Sequence, residues 1–522
     1  MAENSDYSLD VLSHGFADRP SAPAMHFLES SRGFDADAAR RAVAALGGWL
    51  DASDVEQGAR VGVVMERTPA AVLTALAVLA SGRSLVPFAM DVRASELERH
   101  ARFGQINVMV APSRLSPVVP RGSRHLALDD DQIERRIAQG AEPPSTPLAL
   151  EPSREGMILF SSGTVGHPKA IVLSRGALVA AIERATVRLS FYGPDQRFLG
   201  VLPLHSGHGI IMTLLAPLYA GAELFIDRAF DAFGPARFFE NVAERKITGT
   251  SCVPAILTAL RGFFDRAGRP GRGSLMGVCC ASSMLPPDLR RWAAKDWGVA
   301  LHNNYGMSET CSWLSIGIPG DVDGEPLSVG VPHLPVEVVD DEGRPVEPGV
   351  EGHVMVSGDQ LMDGYWNDKE RTAEVLRDGR FHTGDLGRLT DDGRLVITGR
   401  TKDLINVAGE KVHPENVELA AMPMAGVEDA GAFPLDDERT GEAVALAVVG
   451  GGDPAEMETA LRVMLAETLK PVEMPKRIFI MPSIPRNRAG KILRAQLAAE
   501  CLEAERIADE EDAARAAAME EE

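Results

Sequence analysis

Apolar and polar positions alternate in two textures along the chain. Through the first 130 residues, short valine-rich runs are separated by longer stretches of helical composition. Arg60–Met65 (RVGVVM) predicts a buried strand. Thr68 then caps a helix with Pro69 at its first position, Gly82 stops it, and Ser84–Phe88 (SLVPF) returns to a strand. Strands separated by helices of this length predict a parallel sheet covered on both faces. A proline-rich connector, Pro143–Pro152, breaks the alternation. Beyond it, Gly156–Phe160 and Ala170–Leu173 predict strands around a small-residue loop, and Ser174 caps the next helix. Further strands are expected at Phe198–Leu202, Ala222–Ile226, Ile247–Val253 and Leu275–Cys280.

After about residue 315 the turns come closer together. DDEGRP, DGR and TDDGR predict hairpin connections between short strands. The stretch 403–500 has its own strands (Asp429–Pro434, Ala443–Val449, Arg477–Ile480) and a helix near Pro454–Leu469, enough to bury a small core. Ala504–Glu522, rich in Ala and Glu, predicts a frayed acidic helix, with a solvated tail as the alternative that its composition allows. No repeat of 20–50 residues is visible.

Composition narrows the function classes. With 522 residues, 45% apolar and 25% charged, the chain is long enough for several packed units and is globular in character. A net charge of −22 fits a nucleic-acid binder poorly, because that task needs a basic footprint. Any anionic ligand would therefore need cations gathered locally. Cys252, Cys279, Cys280, Cys311 and Cys501 include no CxxC pair and no zinc-type spacing, so they are expected to be reduced core thiols. The opening MAENSDYSLD shows no secretory pattern, and Ala70–Ala80 is too short to span a bilayer. A soluble, cytoplasmic, multidomain protein is expected.

The densest chemistry lies in Phe160–Ile171, FSSGTVGHPKAI. Glycines let backbone N–H groups approach a polyphosphate, hydroxyls donate to its oxygens, and Lys169 supplies charge. It is not a Walker A loop, and taken alone it reads equally well as a hairpin turn. Four more segments accompany it. Asn303–Thr310 (NNYGMSET) offers a ring to stack on a base, a hydroxyl for a phosphate and a carboxylate for Mg²⁺. Phe381–Leu389 (FHTGDLGRL) presents Asp385, which suits the two hydroxyls of a ribose. Gly399–Glu415 (GRTKDLINVAGEKVHPE) alternates charges around two backbone hinges, and Pro485–Arg494 (PRNRAGKILR) is a basic loop presenting Lys491.

With these five segments in this order, the chain resembles the adenylate-forming superfamily of acyl- and aryl-CoA synthetases, adenylation domains and luciferases. The resemblance runs from about residue 10 to 500. It implies an α/β fold: a large N-terminal part of two doubly wound, parallel-rich sheets with a small β-barrel-like subdomain, and a small mobile α+β C-terminal domain. The implied boundaries are 1–402 (α/β to about 315, β-rich from 316), 403–504 and an acidic tail at 505–522. Only nine lysines stand against 44 arginines, and Lys169, Lys402, Lys411 and Lys491 all fall inside the motifs. Lysine is a mobile point charge where arginine is a planar fork, so these positions are candidates for a site that needs the former.

The resemblance also implies a mechanism. A carboxylate attacks the α-phosphate of ATP, pyrophosphate leaves, and a thiol takes the acyl group from the resulting acyl adenylate. Ser161, Ser162, Gly163, Thr164, Gly166 and Lys169 would cradle the β- and γ-phosphates. Thr164 and Glu309 would hold Mg²⁺, and Ser308 would bond the α-phosphate. Tyr305 would pack on adenine together with Gly306, Met307, Ser282 and Ser283. Asp385 and Arg400 would hold the ribose, and Lys491 would bridge the carboxylate and the α-phosphate. For the second step the C-terminal domain would swing about Lys402 and Asp403, presenting Ala408, Gly409 and Lys411 to coenzyme A. Here Ala408-Gly409 stands where the family often has Gly-Gly.

His205, Gly207, His208, Val253, Ala281 and Asn304 would line the acyl pocket. Ser206 occupies the usual gating-histidine position, leaving His205 and His208 as alternatives. The segment LHSGHGIIM lacks the Asp that pairs with an amino-acid ammonium, so an α-amino acid is not expected. An apolar carboxylic acid of medium or large size, activated with ATP and Mg²⁺ and transferred to CoA, is the leading expectation. A stand-alone ligase loading a carrier-protein pantetheine comes second, and a non-catalytic ligand-binding relative third. The four retained side chains Lys169, Glu309, Asp385 and Lys491 weigh against the last.

Overall fold

The computed structural model describes residues 7–139, 148–161, 168–320, 325, 327–487 and 490–520. The chain divides into two compact units. One comprises Met1–Val336 with Met355–His382 and Gly393–Leu395; the other comprises Glu337–Val354, Thr383–Asp392 and Val396–Glu522. The boundary expected at residue 402 falls within the second unit.

Two seven-stranded sheets form the frame of the first unit. One runs Ala300–Asn303, Gly277–Cys280, Gly249–Cys252, Arg197–Gly200, Glu223–Ile226, Pro23–Phe27, Arg32–Asp35, parallel except for its last pair. The other runs Gly364–Tyr365, Lys169–Ser174, Glu155–Ser161, Ser84–Phe88, Arg60–Val64, Val108–Ala111, Arg124–Ala127. Its four central and distal pairings are parallel, with Arg60 beside Ser84 as the alternating pattern implies. The pairings of Lys169–Ser174 are antiparallel on both sides, and Ser161 stands opposite Lys169. Two antiparallel strands thus flank the glycine-rich stretch.

Helix Pro69–Ala80 shows why an apolar run need not meet lipid. Thr68 accepts from Ala71 N–H at its N-cap, and every residue from Pro69 to Leu79 is buried. Among the described residues no helix is long and apolar enough to cross a membrane. All five cysteines are free and buried.

The β-rich stretch forms a three-stranded sheet (Tyr305–Met307, Ser312–Ile316, Val331–Pro332) and a five-stranded one. Within the latter, Leu376–Arg377 and Arg380–Leu389 are joined through Asp378 and Gly379, both at positive φ (52° and 72°). That is the two-residue hairpin that the DGR sequence predicts. In the second unit, Val427–Asp437 and Gly441–Gly450 carry Ile405–Val407, Glu410–Val412 and Arg477–Ile480. Helices Pro414–Ala421 and Pro454–Thr468 complete its core. The Ala/Glu-rich end lies, as expected, on a helix, which runs Arg494–Glu520 and is anchored at its start by buried Leu497 and Cys501.

Arg175, the first residue of helix Arg175–Arg188, is fully buried. Its guanidinium donates to the carbonyls of Tyr7 (3.2 Å), Ser8 (2.8 Å), Leu79 (2.9 Å) and Arg83 (2.9 Å). It ties three separate segments by satisfying oxygens that would otherwise be stranded. At about 1 kcal/mol per net hydrogen bond, Arg175→Ala is expected to cost about 3 kcal/mol or more, a fall in Tm of about 5 °C. Arg175→Lys should recover only part of this, because one ammonium cannot span the same four acceptors. Differential scanning calorimetry checks both, and an unchanged Tm for the alanine variant would contradict the assigned role.

Candidate active site

Lys169 opens its strand and Glu309 sits in the single turn Ser308–Thr310, just after strand Tyr305–Met307. Lys169 Nζ donates to Glu309 Oε1 at 2.5 Å. Glu309 is 7% exposed, so each charge is kept affordable only by the other. The turn is fixed by its own backbone: Met307 N–H donates to Thr310 Oγ1 (3.1 Å), and Met362 N–H to the Glu309 carbonyl (2.8 Å). Gly306 is obligatory here, since a Cβ would lie 1.9 Å from the Ser312 carbonyl oxygen. Tyr365 joins the pair. Its hydroxyl donates to Glu309 Oε1 at 3.1 Å, and Lys169 Nζ lies 4.5 Å from its ring centre. Burial and the Glu309 carboxylate push the phenol well above its ordinary pKa.

A second group of residues forms a wall around His208, at the start of the π-helix His208–Leu215. Ser206 closes the turn before it, accepting from Gly209 N–H (3.1 Å) and donating to the Pro203 carbonyl (3.0 Å). His208 Nε2 is 2.6 Å from Ser251 Oγ, its Nδ1 is 3.2 Å from Ser282 Oγ, and its ring stands edge-on to Trp313 with centroids 5.2 Å apart. Desolvation lowers its pKa to about 3, so the ring is neutral and donates through one nitrogen while accepting through the other. Ser282 adopts φ +83°, a strained conformation for a residue with a side chain. A Cβ on Gly207 would lie 3.0 Å from Leu159 Cδ1 and 3.6 Å from Ser308 Oγ, so the wall adjoins the Glu309 turn. Ala281 is buried, whereas Val253, Ser283 and Tyr305 are half-buried. Asn304 is buried, donating from its backbone to the Cys280 carbonyl and accepting from Gly317 N–H at its side-chain oxygen. Of the two alternative histidines, His208 carries the serine contacts; His205 is half-buried.

The second unit holds the other candidates. Asp385 is 3% exposed, with Oδ1 2.7 Å from Arg400 Nε. Lys402 and Asp403 lie in the turn Thr401–Asp403. Ala408 (φ +53°) and Gly409 (φ +91°) form the two-residue connection between Ile405–Val407 and Glu410–Val412, where Lys411 Nζ is 3.9 Å from Asp341 Oδ2. Lys491 is exposed, but its backbone is fixed: its N–H donates to Asn487 Oδ1 (3.0 Å) and its carbonyl accepts from Asn487 N–H (2.9 Å). Three residues on, half-buried Arg494 pairs with Glu415 (3.0 Å) and Glu418 and anchors that loop. Burial lifts the Glu418 carboxyl to about 7.

Ser162, Gly163, Thr164 and Gly166 lie outside the described residues, and for Ser161 only its place at the end of a strand is described. Tyr365, Trp313 and Arg494 were not singled out from the sequence. Arg494 had a signal, being the last residue of the basic PRNRAGKILR segment. The other two meet their partners only through sheet pairing.

The AMP-binding enzyme family matches residues 12–366, and its C-terminal domain matches residues 416–491. The chain belongs to this family. A feruloyl-CoA synthase from Amycolatopsis is 29% identical over 489 residues, covering 93% of this chain and 95% of that one. A 2-hydroxy-7-methoxy-5-methyl-1-naphthoate–CoA ligase from Streptomyces carzinostaticus is 35% identical across 66% of this chain and 62% of its own. Among solved structures, ATP-bound MatB from Rhodopseudomonas palustris shares the fold, with a TM-score of 0.84 at 24% identity over 94% of this chain and 98% of that one.

The neutral His208 gives a pH signature. Below about 6.5 the unfolded ring takes a proton while the folded ring resists until about pH 3, so stability falls as pH drops through that window. His208→Gln keeps hydrogen-bonding capacity but cannot titrate. The Tm of the variant relative to the parent should therefore improve as pH is lowered from about 7 to about 4.5. A Tm difference independent of pH would contradict a neutral buried ring.

Proposed function

We propose that this AMP-binding family enzyme activates an apolar carboxylic acid of medium or large size, an aryl acid first among them, and passes the acyl group to CoA. It is an ATP-dependent, AMP-forming acid–CoA ligase, with ATP, Mg²⁺ and coenzyme A as its cosubstrates and cofactor. The observation that carries the reading is the shielded Lys169–Glu309 pair beside Ser308 and the His208 wall. It sets a movable cation and a metal-binding carboxylate next to a surface fit for an acyl group.

Both reactants are anions, so the residues must neutralise charge in line with the displacement. Lys169, with Ser161, Ser162, Gly163, Thr164 and Gly166, is assigned to the β- and γ-phosphates. Ser308 is assigned to the α-phosphate, and Tyr305, Gly306, Met307, Ser282 and Ser283 to adenine. Asp385, oriented by Arg400, accepts the ribose hydroxyls. Among the described residues no three His, Cys, Asp or Glu side chains converge as a metal site. A cation that takes Glu309, Thr164 and phosphate oxygens fits this donor set, since Mg²⁺ is commonly held by one or two carboxylates and substrate phosphates. When bound, it neutralises the triphosphate and eases pyrophosphate departure. Lys491 stabilises the charge that develops between the carboxylate and α-phosphate oxygens. For thioester formation the segment beyond Lys402 and Asp403 swings, and Ala408, Gly409 and Lys411 meet the thiol.

The aryl preference rests on the wall formed by His208, Trp313, Ala281, Val253 and Gly207, which is aromatic and apolar. The relatives named for ferulate and a naphthoate support it. Both are CoA ligases, and this favours CoA over a carrier protein as acceptor.

ATP–pyrophosphate exchange across a panel of aryl, aliphatic and amino acids, followed by mass detection of the CoA thioester, tests the assignment. Exchange with aryl acids and a thioester with CoA are expected; exchange only with amino acids would overturn the substrate class. Lys491→Ala should lower exchange by about 100-fold or more, the scale of losing one transition-state donor. It should nevertheless still convert a supplied acyl adenylate to the thioester. Equal loss of both steps would refute the separate role of Lys491.

A further inference from the structure

Met362–Trp366 crosses the edge of the Lys169 strand and is held there from several sides. Tyr365 pairs with Ile171 and Gly364 with Val172. Asp363 N–H donates to the Val172 carbonyl (2.9 Å), Trp366 N–H to the Ala170 carbonyl (2.8 Å), and Trp366 Nε1 to the Phe103 carbonyl (3.0 Å). Tyr365 N–H is taken up by Thr372 Oγ1 at 2.9 Å. With its backbone fixed and only 6% of the residue exposed, Tyr365 has little freedom. Both of its functional faces meet the charged pair: the hydroxyl donates to Glu309 Oε1, and the ring lies beside Lys169 Nζ.

One carboxylate oxygen therefore receives two donors, a mobile ammonium and a rigid phenol. These donors fare differently once nucleotide binds. Lys169 must turn to phosphate to do its work, and Glu309 loses that partner at the moment it takes the metal. The phenol, fixed to the sheet edge, stays. A metal-binding group is oriented by such fixed outer hydrogen bonds, and their removal typically weakens metal affinity about 10–100-fold. The ring meanwhile offers the ammonium a favourable face during its change of partner.

We propose that Tyr365 is a positioning residue for the metal-binding carboxylate, its hydroxyl orienting Glu309 and its ring holding Lys169 between a carboxylate-bound and a phosphate-bound position. This rests on the reading that Glu309 takes the divalent cation. Tyr365→Phe separates the two contributions, since it removes the hydroxyl and keeps the ring; Tyr365→Leu removes both.

The test is isothermal titration calorimetry of ATP binding at stepped Mg²⁺ concentrations without acid, so that no turnover enters the readout. Nucleotide-free melting curves run alongside as a folding control. For Tyr365→Phe the half-effective Mg²⁺ concentration should rise about 10-fold, with ATP affinity at saturating Mg²⁺ close to that of the parent. Tyr365→Leu should also weaken ATP at saturating Mg²⁺. A merely structural role would lower melting temperature without moving the Mg²⁺ midpoint. An unshifted midpoint in Tyr365→Phe, with Glu309→Gln shifting it, overturns the role of Tyr365 alone. If the Mg²⁺ dependence of ATP binding is the same in Glu309→Gln as in the parent, the assignment of Glu309 fails and the positioning role fails with it.

Discussion

A carboxylate and an ammonium 2.5 Å apart, both largely withdrawn from water, set the terms for the surrounding fold. Burying either charge alone would cost several kcal/mol, so their mutual placement has to be enforced by the backbone rather than left to side-chain freedom. That enforcement is visible on each side. Glu309 stands on a turn closed by Thr310 and Met362, three residues beyond a glycine that admits no side chain. Lys169 opens a strand paired on both edges. The strand at the sheet edge then contributes Tyr365, which touches both charges. The site is less a cluster of residues than the meeting of two rigid sheet edges at a pair of opposite charges.

What could be read from the sequence was local. The Thr68 cap, the buried Pro69–Leu79 helix and the neighbouring strands followed from composition at successive positions, and the left-handed Asp378-Gly379 turn followed from its residue types. The Lys169 and Glu309 segments were recognisable because their residue types carry chemistry. The partner that orients them was not, since Tyr365 lies 56 residues beyond Glu309 and nothing in its own neighbourhood marks it. The same holds for Trp313, which reaches His208 from a strand of a separate, antiparallel sheet. Two alternatives left open by sequence, His205 and His208, separate in space by their partners: the serine hydroxyls belong to His208. The helical character of the acidic end was legible, but its continuity with the segment that starts at Arg494 was not. Its Ala-rich composition is compatible with both tail and helix, and the buried Leu497 and Cys501 that anchor the helix lie upstream of it.

Ala408 marks a local departure with a physical consequence. It takes a left-handed conformation beside Gly409, where a side chain costs about 1–2 kcal/mol relative to glycine. A Gly-Gly turn would relieve that strain but would add freedom to the unfolded chain and to the loop itself. The methyl group therefore makes this hairpin stiffer at the price of strain, next to Lys411 and its contact with Asp341.

The division between the two kinds of basic residue follows from the same electrostatic problem. In a chain of net charge −22 that must receive anions, cations cannot be scattered over the surface as a general lure. Arginine appears where a fixed fork holds structure: Arg175 on four carbonyls, Arg400 on Asp385, Arg494 on Glu415 and Glu418. Each is bound to its acceptors too well to follow a reacting group. Lysine appears at Lys169, paired to one carboxylate through a single point charge that can exchange that partner for another. The wall around His208 needs neither, and the low pKa of that ring keeps it uncharged. Confining mobile positive charge to lysine and fixed charge to arginine lets an acidic protein keep its few movable cations for the anions it must bring together.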